Sequence, residues 1–185
     1  MSIATMIGFT AAPAMAAPAR PAPVGPAGPA AAVARPVSPE AEFLIAVHQG
    51  NLAQITAGKL AAGKSENRTV RKLGKRIAAY HKKLDAQVKQ AADALGVRLP
   101  AEPNSEQLAL AGQYRAANAA GFDPLFIDTQ LSSYERAAKL ARLVLAVSED
   151  PLIAKIVASA TPVIEKNRAA LAAARAALVR KQPRQ

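Results

Sequence analysis

Cysteine and tryptophan are absent from this chain of 185 residues, and histidine occurs only twice. Without cysteine the chain can form no disulfide, no thiolate metal site, no cysteine nucleophile and no lipid anchor on a cysteine. Aromatic residues make up only 4% of the sequence, and β-branched residues are also sparse, which argues against a large sheet. Much of the apolar composition is alanine, the strongest helix former, so an all-α fold is expected.

Acidic residues are scarce relative to basic ones, with 13 Asp and Glu against 24 Lys and Arg, and the formal net charge is +11. Such a balance suggests contact with something anionic, although it also fits a helical protein with a solvated basic face. Lys75, Lys82, Lys83 and Lys89 fall away from the apolar stripe of their predicted helix. These four lysines are the candidate contact residues for an anionic surface.

The N-terminal segment predicts export. Residues 1–16 carry no charge and end in Ala14-Met15-Ala16, a small-x-small pattern typical of signal-peptide cleavage. No Lys or Arg precedes the apolar run, and this run is too short and too interrupted to span a bilayer. Residues 17–37 are rich in Pro and Ala and are predicted to be a disordered spacer. The expected location is periplasmic or extracellular, at the cell envelope.

Residues 38–180 are predicted to form a ferritin-like four-helix bundle, and residues 181–185 a basic tail. Caps, first-turn prolines and terminal glycines mark the helix ends. The long helices are predicted over 39–62, 66–95, 124–147 and 151–180, and a short helix over 104–118. Short connections predict two antiparallel hairpins, and the long connection that carries the short helix is the crossover between them.

Three features of the last two long helices are predicted from local chemistry and periodicity. Asp123-Pro124 is predicted to cap the third long helix, because Asp caps and Pro fits the first turn. The apolar stripe of that helix is predicted to include Leu143 and Val147. Pro162 lies inside the fourth long helix and is predicted to kink it.

Polar residues interrupt the predicted inner faces. Gln54, His81 and Asn167 lie on apolar stripes, and Tyr134 lies beside one. Each would cost about 1–3 kcal/mol if buried without a partner, so these residues are expected to meet one another, a water or a ligand. They either form a polar layer that fixes helix register or a metal or small-ligand site, for which they are weak candidates. His48 is predicted to lie at the surface or the boundary.

No catalytic constellation is found, and no cofactor is expected. A ferritin-type di-iron site requires Glu-x-x-His on two helices, but Ile45 stands three residues before His48 and Ala78 three before His81. No acidic residue occupies the centre of a predicted inner stripe. Phosphate-binding loops, zincin motifs and G-x-S-x-G are also absent. A non-enzymatic protein is therefore expected.

Several spaced segments carry a resemblance to a known family. Residues 43–100 resemble the first half of a bacterial ferritin-like family, the domain of unknown function 4142, often labelled "putative outer membrane protein". Residues 121–140 and 161–171 resemble its second half. The resemblance covers about residues 39–178 and implies an exported four-helix bundle with no established activity.

The resemblance also bears on the polar residues. The family usually places an acid where this sequence has Gln54, and histidines where it has His81, Tyr134 and Asn167. Only His81 is retained. If the family residues bind a metal, most of the ligands are replaced in this member.

Two functions of different classes follow. The first is an exported, non-enzymatic envelope protein that contacts an anionic polymer or lipid surface through a basic face. The alternative is a ferritin-like bundle that binds a metal or small ligand at an interior polar cluster. Nucleic-acid binding has only the charge in its favour and is not expected, and a homo-oligomer remains open.

Overall fold

A computed structural model describes residues 37–181, and within this range the chain forms five α-helices and no strand. This confirms the all-α prediction. The helices are α1 (Pro39–Lys64), α2 (Arg68–Ala94), α3 (Ser105–Ala116), α4 (Ala119–Leu145) and α5 (Pro151–Lys181). The predicted signal peptide 1–16, the spacer 17–37 except for Val37, and residues 182–185 of the tail lie outside the described residues.

Short polar side chains begin the first three helices. The Ser38 hydroxyl accepts from the Ala41 N–H at 3.2 Å, and the Asn67 side chain caps α2 in the same way. At α3, Asn104 and Gln107 form a reciprocal capping box. These contacts satisfy N–H groups that have no partner within the helix.

The cap predicted at Asp123-Pro124 is wrong, because α4 begins at Ala119. Asn118 Oδ1 accepts from the Gly121 N–H at 2.8 Å and supplies the cap earlier in the chain. Pro124 therefore lies inside α4, where it removes one backbone donor near the helix start. Asp123 is buried within α4 instead of preceding it.

Helices α1 and α2 are antiparallel and touch through their backbones. Gly58 lies against Gly74, while Asn51, earlier on α1, meets His81, later on α2. A Cβ atom on Gly58 would stand 2.5 Å from the Gly74 carbonyl oxygen, and one on Gly74 would stand 2.6 Å from the Gly58 oxygen. Only glycine permits this approach.

Helices α4 and α5 are also antiparallel, since Asp128 pairs with Arg175 at 2.8 Å and Tyr134 meets Asn167. Helix α2 is also antiparallel to α5, because Arg76 bonds to Asn167 and Tyr80 bonds to the Ser159 carbonyl. It follows that α2 and α4 run in the same direction. The shorter α3 packs against α1 and α4.

Two apolar clusters fill the interior. One surrounds Ile77, Tyr114 and Phe122, and the other surrounds Leu44 and Ile153. The prediction that Leu143 and Val147 face the interior is wrong, since these residues are 56% and 66% exposed. The buried stripe passes through Val144 instead, and α4 ends at Leu145, before Val147. None of the helices within residues 37–181 combines the length and apolarity needed to cross a membrane.

Candidate functional site

A chain of hydrogen bonds crosses the interior between the two apolar clusters. The Arg76 Nε–H donates to Asn167 Oδ1 at 3.0 Å, and Asn167 Nδ2–H donates to the Tyr134 hydroxyl at 2.9 Å. The Tyr134 oxygen lies 3.2 Å from His81 Nε2, and His81 Nδ1 lies 2.8 Å from Asn51 Oδ1. The chain therefore draws side chains from α1, α2, α4 and α5.

Burial fixes the proton positions along this chain. It lowers the pKa of His81 to about 4, against a smaller opposing effect of the Asp85 charge, so the ring is neutral near pH 7. It also raises the pKa of Tyr134 well above its usual range. Because Asn51 Oδ1 accepts only, His81 Nδ1 carries the proton, and the Tyr134 O–H donates to His81 Nε2. All the bonds then run in one direction.

The structure brings together three of the four predicted interior residues, namely His81, Tyr134 and Asn167. Gln54 is buried but bonds to none of them. Asn51 takes the bond to His81 instead, one helical turn before Gln54. Its spacing of three residues from Gln54 places it on the same helix face, and this signal could have identified Asn51 as a second inward-facing amide.

Three buried amide side chains have unsatisfied atoms: Asn51, which ends this network, and Gln54 and Gln130, which lie outside it. Asn51 Nδ2, Gln54 Oε1 and Gln130 Oε1 have no hydrogen-bond partner within the described part of the chain. The side chains are at most 9% exposed. A buried polar atom without a partner costs about 1–3 kcal/mol, so these three amides are candidate contacts for a bound molecule.

The three amides line a cavity of about 330 Å³. Its walls are mostly apolar and come from all five helices; they include Phe43, Leu84, Leu140, Ile156 and Ile164. His81 and Tyr134 complete the polar part of the wall. Apolar walls with a few convergent polar groups are characteristic of small-molecule sites, whose volumes begin near 300 Å³.

The cavity opens between α1 and α4, beside the start of α3. The lining residues there are exposed: Ala46 on α1, Glu106 on α3 and Arg136 on α4. Glu106 and Arg136 bring opposite charges to the opening. Apart from these two residues, the cavity lining contains no Asp, Glu, Lys or Arg side chain.

The residues present do not favour a metal. Among residues 37–181, no group of three or more His, Asp or Glu side chains is arranged to hold a metal ion. Both His81 nitrogens already have partners, and Tyr134 holds its proton. The remaining donors are amides, which are weak metal ligands beside imidazole and carboxylate.

The prediction that His48 lies at the surface or the boundary is wrong, since its side chain is buried. His48 Nδ1 lies 2.6 Å from Asp85 Oδ1, and Nε2 lies 3.0 Å from the Pro100 carbonyl oxygen. Lys89 contacts the second Asp85 oxygen at 3.0 Å. The connection between α2 and α3 covers His48, and a helix pattern alone does not predict that cover.

Two acidic residues are buried, although none is predicted at the centre of an inner stripe. Asp85 and Asp123 are 5% and 9% exposed. Asp85 stands next to Leu84 on the edge of the buried stripe of α2, where His48 provides its partner. Neither Asp85 nor His48 lines the cavity.

The candidate basic residues lie on the exposed side of α2. Lys75, Lys82, Lys83 and Lys89 are all exposed, while the buried stripe occupies the opposite side. Lys89 is paired with Asp85. The other three lysines form no ion pair with any acidic side chain in residues 37–181.

Comparison with known proteins identifies a family. A family model described as "Domain of unknown function (DUF4142)" matches residues 25–174, which is most of the chain. No curated protein and no solved structure matches the sequence. The matched range contains all of α1 to α4, the hydrogen-bond chain and the three unsatisfied amides. The chain belongs to the DUF4142 family.

Proposed function

We propose that this protein is an exported, non-enzymatic protein of the cell envelope whose interior cavity binds a small, mainly apolar molecule. The observation that carries the proposal is the cavity of about 330 Å³, lined by three buried amides with unsatisfied atoms. A packed interior normally fills such a space and satisfies such atoms. A bound molecule does both.

Octan-1-ol is a suitable probe, and its binding to the purified full chain is measured by calorimetry and by thermal melting. Ala137 lines the cavity and is half-buried, so Ala137→Leu fills part of the space. Ala138 follows it on α4 and does not line the cavity, which makes Ala138→Leu the matched control. Saturable binding by wild type and Ala138→Leu, lost in Ala137→Leu, is expected. Equal binding by all three, or none, contradicts the proposal.

We further propose that the four long helices form a ferritin-like bundle. Three antiparallel contacts support this arrangement, between α1 and α2, α2 and α5, and α4 and α5. The connection from α2 to α4 joins two helices that run in the same direction, as a long crossover requires. An experimental structure tests the arrangement.

Export rests on the uncharged residues 1–16 and the Ala14-Met15-Ala16 pattern. N-terminal sequencing of the protein from its producing cells should begin at Ala17. A mature protein that retains Met1 would contradict export through this signal.

A second candidate function is contact with an anionic polymer or lipid surface. The exposed side of α2 supports it, because Arg68, Lys72 and Arg76 extend the row of four candidate lysines and no exposed acid interrupts it before Asp93. Such binding is electrostatic, so it should weaken steeply as salt screens the charges.

Vesicles made of equal parts phosphatidylcholine and phosphatidylglycerol test this surface. The variant carries Lys75→Glu, Lys82→Glu and Lys83→Glu. A control of equal net charge carries Lys59→Glu, Lys139→Glu and Lys155→Glu, at exposed sites on other helices. Binding at low salt should be lost in the first and largely kept in the second. Equal loss in both would show that net charge alone matters, and that the α2 face does not.

A further inference from the structure

We propose that the molecule bound in the cavity has an uncharged head group that both donates and accepts hydrogen bonds, such as a hydroxyl or carboxamide, attached to an apolar body. This inference rests on the proposed binding function and names the chemistry of its ligand. It assigns Gln54 and Gln130 as the residues that select the head group.

The unsatisfied atoms define what the head group must offer. Gln54 Oε1 and Gln130 Oε1 are acceptors, and Asn51 Nδ2 is a donor. A partner for this set needs an O–H or N–H group together with an oxygen acceptor. Hydroxyl and carboxamide groups supply both, whereas an ammonium group has no acceptor and a carboxylate has no donor.

Away from its opening, the cavity lining offers no counter-charge to a charged head group. Burial keeps His81 uncharged near pH 7, and both of its nitrogens have partners. The ionisable residues at the opening, Glu106 and Arg136, are exposed and opposite in sign, so together they favour neither an anion nor a cation. An ion that enters without a counter-charge loses its hydration at a large cost.

The apolar body follows from the walls. Phe43 and Leu84 come from α1 and α2, Leu140 from α4, and Ile156 and Ile164 from α5. Ile164 belongs to one apolar cluster, and the other four side chains belong to or pack against the second. Contact with them removes apolar ligand surface from water, which favours binding in proportion to the area buried.

Four probes with the same tail separate head-group selection from binding itself. Octan-1-ol, octanamide, octanoate and octylammonium are titrated into the full chain at pH 7 by calorimetry. The alcohol and the amide should bind at least about tenfold more tightly than either ion, because the ions lack a buried counter-charge. Equal affinity for all four would overturn the head-group inference and leave the proposed function standing. Binding of none would overturn both.

Variants test the two assigned residues. Gln54→Leu and Gln130→Leu keep the side-chain bulk and remove the amide, and Gln113→Leu is the control on the exposed side of α3. Octanamide should bind roughly tenfold more weakly to the first two than to the control, as the loss of one hydrogen bond predicts. Circular dichroism verifies that each variant is folded. Unchanged octanamide affinity in folded Gln54→Leu and Gln130→Leu would overturn the assignment.

Discussion

At the scale of single residues, His81 holds the polar interior together because its two nitrogens act in opposite roles. Nδ1 donates to Asn51 on α1, and Nε2 accepts from Tyr134 on α4. A charged imidazolium would present two donors, and the Tyr134 hydroxyl would have to turn away. The network and the burial therefore both favour the neutral ring.

The neutrality of His81 makes stability depend on pH. The pKa of His81 falls from about 6.5 in the unfolded chain to about 4 in the folded one, so between these values only the unfolded chain readily binds the proton. This contribution to stability is fully present above pH ~6.5 and is lost as the pH falls toward ~4. As the pH falls from about 6.5 to about 4, the unfolding free energy of the wild type should therefore decrease by about 3 kcal/mol more than that of His81→Leu.

Urea unfolding at a series of pH values measures this difference. Other groups titrate in the same window, and they are shared by both proteins, so the comparison isolates His81. Parallel pH profiles for wild type and His81→Leu would show that the ring is not buried in its neutral form.

The Asp85 carboxylate should matter far more through His48 than through Lys89. The His48 contact is buried, whereas the Lys89 side chain is 56% exposed. Asp85→Ala leaves a buried imidazole without its partner and should cost about 3 kcal/mol. Lys89→Ala should cost less than about 1 kcal/mol. Urea unfolding checks both, and equal costs would contradict the burial of the His48–Asp85 pair.

Individual polar residues were predictable from periodicity only where their own helix set their position. His81 and Asn167 are buried as their stripes predict, and Tyr134 joins them. The predicted exposure of His48 is wrong because the connection at Pro100, on another part of the chain, covers its side chain. Partner choice also depends on the register between helices, so the selection of Asn51 over Gln54 could not be derived from one helix.

At the scale of secondary-structure elements, the contact between α1 and α2 depends on two glycines. Gly58→Ala or Gly74→Ala places a Cβ atom within 2.6 Å of a backbone oxygen on the facing helix. Since neither backbone can yield cheaply, each should lower the unfolding free energy by about 1–3 kcal/mol. Thermal or urea unfolding measures the loss.

Gly112 in the middle of α3 provides the control, because a Cβ atom there meets nothing within 4 Å. Gly112→Ala should raise stability by about 0.5–1 kcal/mol, as alanine is the better helix former. If Gly58→Ala or Gly74→Ala also raised stability, α1 and α2 would have to lie farther apart than the contact between Gly58 and Gly74 requires.

The start of α4 gives a second test at this scale. Asn118→Ala removes the cap and should cost about 1 kcal/mol, while Asn118→Asp should retain most of the stability. Urea unfolding of both variants is the measurement. If Asn118→Ala is neutral, the helix does not depend on this cap.

The positions of most helices can be predicted from local chemistry, but the residues at which they begin and end are predicted less accurately. The Ser38 cap and the start of α5 at Pro151 agree with the predictions. At α4, two Asn/Asp sites compete, and Asn118 caps the helix even though Pro124 then lies inside it and removes a backbone donor. Sequence alone does not rank two caps of similar chemistry.

At the scale of the whole molecule, the cavity is a property of five helices together. Alanine and glycine at lining positions such as Gly50, Ala53 and Ala160 leave space that the larger neighbours do not fill. The sequence predicts small residues on helix faces, which equally allows closer packing. Unfilled volume depends on how far apart the helices settle, and no single segment determines that distance.

We propose that this cavity, and not an exposed apolar surface, binds a small molecule. Nuclear Overhauser contacts between octan-1-ol and the methyl groups of the full chain measure its location directly. Leu84, Ile156 and Ile164 line the cavity, whereas Leu143 and Val147 form exposed apolar surface on the same protein. Contacts to the first three residues and none to the other two are expected. Contacts confined to Leu143 and Val147, or no contacts, would show that the cavity does not bind the alcohol.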